Sequence, residues 1–271
     1  ERAGEVDPAL LGTHFERGGD LDRAAGFFLR AALGALAGND FAGAVALANR
    51  CVVLGEAGPP DTGSADPLRR RGRARLVQAE AWRWRGDLGS AEVAGAEAAS
   101  LLPRGSPAWF QAVRETIAAS GRLGRFDSVS ERAEEALACE AGEESAGARI
   151  ACLGPAAGHL FYSGRIDAAT RLLGRIEALE RATPNLDPSV AARLHQLRAL
   201  RSDLAGALER ADLGQPISPT APGSTPAIVC PDPVGVSFQQ ESRQVQERVM
   251  EKIWLKQYPA GVPADVDTAQ Y

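Results

Sequence analysis

Five short turn-like strings punctuate the first two-thirds of this 271-residue chain: GGDLDRAA from Gly18, NDFAGAVA from Asn39, GDLGSAEV from Gly86, GRFDSVS from Gly124 and GRIDAAT from Gly164. Each sets a small or turn-forming residue before a polar and then an apolar one, and opens an alanine-rich stretch. The last three begin 38 and 40 residues apart. A recurrence in that range marks stacked helical hairpins, because one hairpin cannot bury its apolar face alone and a row of them can. Aromatic residues make up only 6% of the chain and alanine fills much of the 45% hydrophobic share, which fits closely packed helices better than sheet. The expected fold is all-α, a solenoid of antiparallel helix pairs.

The punctuation predicts individual helices. Asp7 and Pro8 read as an N-cap and first-turn proline opening a helix to about Arg17. Leu21 to about Ala37 and Phe41 to Leu54 follow, then a loop from Gly55 to Pro67. Pairs are expected at 68–85 with 88–101, 106–121 with 126–139 and 145–163 with 166–181, and a final helix from about Asp187 to Ala211. A net charge of −5 gives no reason to expect nucleic acid or an anionic membrane as a partner, and no apolar run is long enough to span a bilayer. Cys51, Cys139, Cys152 and Cys230 are scattered without a CxxC pair and read as small buried hydrophobes in a reducing compartment. With no secretory leader pattern, the expected location is cytoplasmic; beginning at Glu1 rather than Met, the chain reads as a piece of something longer.

Leu11, Gly12 and Phe15 stand at the spacing L-G-x-x-Y, Gly19 lies in the turn, and Ala24, Phe28 and Ala31 follow on the second helix. This arrangement resembles a tetratricopeptide repeat, in which small residues let two helices approach while aromatics fill the gap beside them. Ala79, Trp82, Gly86, Ala91, Ala98 and Pro103 repeat the scheme. Later units keep Gly124 and Gly164 in the turn but hold Ser120 and Leu160 at the aromatic places. The string DPALLGTHFERGGDLDRAAGFFLRAA further resembles the start of the repeat region in large bacterial proteins that couple a serine/threonine kinase and an AAA-type ATPase to C-terminal helical repeats. That resemblance covers residues ~6–205. It implies kinase and ATPase domains in cis upstream, and a repeat domain over 1–211 that binds a protein or peptide.

Near residue 212 the character changes. Residues 212–235 hold six prolines, no helical period and almost no charge, so 212–249 is expected to be a disordered Pro-rich linker or a translated intergenic leader. Both lysines, Lys252 and Lys256, and the sole methionine, Met250, fall in the tail. The stretch MEKIWLKQYPAGVPADVDTAQY, residues 250–271, resembles the N-terminus of bacterial long-chain acyl-CoA synthetases through Trp254, Tyr258-Pro259, Val262-Pro263 and Tyr271. This leaves, as an alternative to an interaction module, a fragment of a fusion with a fatty-acid–CoA ligase whose catalytic part is absent.

Catalytic patterns are missing from the sequence itself. No lysine precedes Lys252, so a GxxxxGK phosphate loop is excluded; Gly-x-Ser-x-Gly is absent; and His14, His159 and His195 lack metal-ligand spacing. The expectation is no enzyme activity, no cofactor and no metal. The most distinctive surface is basic: Arg69, Arg70, Arg71, Arg73, Arg75, Arg83 and Arg85 crowd one helix with Glu80 the only acid among them. Arg71 and Arg75 share one helical face, Gln78 and Trp82 another. Arg71, Arg75, Gln78, Trp82, Arg83 and Arg85 are therefore the candidate partner-binding residues, suited to an acidic or phosphorylated peptide through bidentate pairing. A solvated face remains open, with Trp82 and Trp84 packed between helices. So does internal charge balance against Glu131, Glu134, Glu135, Glu140, Glu143 and Glu144.

Overall fold

The computed structural model describes residues 7–57 and 66–212, all of whose regular structure is helical. Ten helices follow in order: α1 Pro8–Arg17, α2 Leu21–Ala37, α3 Phe41–Ala57, α4 Asp66–Arg85, α5 Leu88–Leu101, α6 Pro107–Arg122, α7 Phe126–Ala138, α8 Glu143–Tyr162, α9 Ile166–Arg181 and α10 Pro188–Asp212. The expected Pro-rich linker from 213 onward and the synthetase-like tail lie outside the described residues. One correction falls within them: Gly55 does not stop α3, which runs on to Ala57.

The five punctuation strings are five copies of one turn. Gly19, Asn39, Gly86, Gly124 and Gly164 all have φ between 61° and 83°, the left-handed region open to glycine and tolerated by asparagine. Around each, the next N–H reaches back five residues, as Asp20 N does to Phe15 O at 3.0 Å and Arg165 N to Leu160 O at 2.9 Å. The left-handed residue itself bonds three back, Gly19 N to Glu16 O and Gly164 N to Phe161 O. This is the Schellman arrangement, which satisfies the orphan carbonyls of the ending helix. Asp20, Asp40 and Asp87 then open the following helix by accepting from Arg23 N, Gly43 N and Ser90 N. At the last two turns Arg125 and Arg165 stand in that place without a side-chain cap bond. Two hydrogen bonds from Ser90, backbone and hydroxyl, hold the Asp87 carboxyl below its ordinary range. Replacing Asp87 with Ala should therefore lower the melting temperature at neutral pH, and the difference should shrink as Asp87 is protonated in acid.

The described residues divide into two compact units, one ending at Ala156 and the other beginning at Ala157. In the first, each helix from α1 to α6 packs on the next, and α2 and α6 also touch α4. Helices α2, α4 and α6 thus form one row, and α3 and α5 both lie against α4. The core is built largely from alanine: Ala24, Ala44, Ala74, Ala91 and Ala98 are wholly buried. Small side chains bring the axes close, as at Gly12, whose missing Cβ would stand 3.1 Å from the Phe28 ring. Phe15 is half-buried and stacks on Phe27 at 5.2 Å, Leu11 and Ala31 are partly buried, and Pro103 is exposed. Ser120, at an expected aromatic place, is fully buried, and its hydroxyl donates to Glu92 at 2.6 Å. In the second unit, Leu172, Leu173 and Ile176 of α9 and Leu194 and Leu197 of α10 are buried, and Arg198 and Arg201 of α10 pair with Glu177. Burial pushes the Glu177 carboxyl up, but bonds from Arg201 and Arg198 outweigh it and leave the group below its ordinary value.

Candidate functional site

Because α3 and α5 both rest on α4, a trough opens between them with α4 as its floor. It has a volume of about 630 Å³. Arg75, Gln78 and Trp82 form the floor, at the i, i+3, i+7 spacing that follows one stripe of a helix. Sequence reasoning had set Arg75 with Arg71 and apart from Gln78 and Trp82; the structure joins Arg75 to the other two. Its Nη1 donates to Gln78 Oε1 at 3.0 Å. Arg85 lies over the Trp82 ring at 4.7 Å, a cation–π contact that holds the indole.

The walls carry residues that the sequence did not single out. From α3 come Val45, Ala46 and Asn49; from α5, Gly89, Val93 and Ala94. Val93 is 58% exposed, a large apolar side chain in the middle of a helix with nothing over it. Glu97, also on α5, stands with Oε2 2.7 Å from Arg75 Nε. Both atoms are shut off from water, yet neither makes an aligned hydrogen bond. Asn49 could be found only by knowing which side of α3 faces out, and an exposed valine in an alanine-rich helix carries no mark of its own.

The remaining arginines of α4 are mostly committed elsewhere. Arg70 pairs with Asp22 of α2, and Arg71 with Glu56 of α3 at 2.9 Å. Arg83 turns from the trough to α6, where its Nε donates to Glu115 Oε2 at 2.5 Å. Glu115 is 1% exposed and also accepts from Arg114 at 3.2 Å. Internal charge balance therefore operates, but through Asp22, Glu56, Glu97 and Glu115. Of the acids expected to provide it, Glu135 instead meets Arg104 and Arg132. Arg69 and Arg73 are exposed.

Glu80 sits half-buried beside this cluster, its carboxyl raised above the usual 4.5 first by burial and then by the charge of Glu115. The folded state therefore holds the Glu80 proton more tightly than the unfolded state does. Its favourable contribution is complete below pH 4.5 and is lost as pH rises through the folded value. Glu80→Gln should accordingly raise the denaturation midpoint at pH 7, with the gain vanishing below pH 4.5.

Among the described residues, the cysteines offer no reactive group at the site. Burial pushes the Cys51 thiol up to about 11 and the Cys152 thiol to about 12. Cys139 is buried as well. No cluster of potential metal ligands occurs among the described residues, and no helix among them is long and apolar enough to cross a membrane. No family model matches the chain, and no curated protein matches it.

Proposed function

We propose that this chain is a protein-interaction module that docks a polypeptide segment in the trough between α3 and α5 and carries out no chemistry of its own. The observation that carries the reading is the trough itself. It joins a tryptophan floor, an uncovered Val93 and two side-chain amides on rigid helices, the combination of apolar contact and polar orientation that ligand sites share. Rows of helical hairpins commonly present such surfaces to partners. The wider setting, a bacterial signalling protein in which the module docks partners or restrains a kinase and ATPase in cis, rests on the resemblance of residues ~6–205 alone.

Selection of a phage-displayed library of random nine-residue peptides on the full chain tests this. Enriched peptides should bind saturably and without turnover. Val93→Glu, on an exposed position, should leave the helical circular dichroism intact and weaken binding by about tenfold or more, since a charge would have to be desolvated under the bound peptide. Peptides that bind Val93→Glu as well as the parent chain would contradict the proposal.

A further inference from the structure

We propose that the occupant of this trough is an extended, uncharged peptide segment, held by its main chain through Gln78 and Asn49. The inference rests on the docking reading above and narrows it. Charge is the first argument. Among the described residues, Arg75 and Glu97 are the only ionisable ones lining the trough, and they face each other at 2.7 Å. An acidic peptide must take Arg75 from Glu97, and a basic one must take Glu97 from Arg75. Either exchange strands a partly buried charge. An uncharged segment leaves the pair intact.

Gln78 gives the second argument. Its side chain is 4% exposed and lines the trough. Arg75 has donors only, so the Gln78 oxygen must be the atom turned toward it, which points the NH₂ group away. That group meets no acceptor among the described residues, and it is not among the atoms shut off from water, so it opens onto the trough. A largely buried donor left this way favours a ligand that brings an acceptor. Asn49 adds a second amide from the α3 wall, exposed and with no side-chain partner among the described residues.

A peptide carbonyl is the acceptor that fits. The carbonyls of a helix are satisfied internally, whereas those of an extended strand project sideways at a regular spacing. The small residues Ala46, Gly89 and Ala94 leave room for a main chain to approach, and Val45 and Val93 supply apolar contact for its side chains.

The same nine-residue library, sequenced after selection on the full chain, tests the inference. Asp, Glu, Lys and Arg should be depleted from the enriched peptides, and no i, i+3, i+4 apolar period should appear. Asn49→Ala and Gln78→Glu should each weaken a selected peptide about three- to tenfold, the loss of one hydrogen bond. Glu97→Gln should shift the selection toward acidic peptides by freeing Arg75. If the parent chain enriches acidic peptides that Val93→Glu releases, docking stands and the uncharged occupant is wrong. Helical periodicity, or indifference to both Asn49→Ala and Gln78→Glu, overturns main-chain recognition. If no enriched peptide depends on Val93, the docking reading falls as well.

Discussion

Replacing Glu115 with Ala should destabilise the first unit by about 3 kcal/mol, the low end of the range for removing one partner of a buried ion pair. Glu115 is 1% exposed, and its two carboxylate oxygens receive Arg83 of α4 and Arg114 of its own helix. Alanine would remove the carboxylate bonded by Arg83, whose side chain is only 17% exposed. Arg114 is 36% exposed and can hydrate, which keeps the cost from the upper end. Against a total stability of roughly 5–15 kcal/mol for a typical domain, such a loss is large. Glu115→Gln should cost less, since it keeps one oxygen acceptor. Urea denaturation monitored by circular dichroism checks both. A cost under about 1 kcal/mol would mean that the Arg83–Glu115 contact contributes no more than an exposed pair does.

Gly95→Ala should also destabilise, although alanine is the better helix former by about 1 kcal/mol. A Cβ on Gly95 would stand 2.6 Å from Thr116 Oγ1, 3.2 Å from Thr116 N and 3.3 Å from Ala112 O. Two of these atoms belong to the α6 backbone, so α5 must move away from it. Overpacking of this kind costs about 1–3 kcal/mol, enough to outweigh the helix preference. Gly95→Leu should be worse. Thr116 Oγ1 is the nearest atom and is held in place by its bond to Ala112 O at 3.0 Å. Thr116→Ala should therefore recover part of the loss in the Gly95→Ala background, a coupling of order 0.5–3 kcal/mol in a double-mutant cycle. Strict additivity of the two changes would show that α5 and α6 do not meet as described.

The turns were legible because a left-handed residue followed by a capping aspartate admits few side chains, and Gly19-Asp20 and Gly86-Asp87 spell that geometry directly. The same logic misread Gly55, which is exposed and crowds nothing. Helix α3 continues through it, with buried Leu54 before it and Glu56 paired with Arg71 after it. A lone glycine costs a helix about 1 kcal/mol, which such neighbours offset.

The arginine cluster of α4 was obvious in the sequence, but its partners were not. Asp22, Glu56, Glu97 and Glu115 come from four different helices, and only packing brings them to α4. Trp82 and Gln78 were found by their type and spacing. Asn49 and Val93 face the same trough only because α3 and α5 lean on opposite sides of α4.

Indole N–H signals of the full chain, followed by NMR during titration with a peptide selected by the parent chain, test the central claim most directly. Trp82 lies in the floor of the trough, while Trp109 of α6 is 2% exposed and lines no part of it. Docking between α3 and α5 predicts that the Trp82 signal moves to saturation along the binding curve while the Trp109 signal stays in place. A Trp82 signal that remains stationary at full occupancy would contradict it.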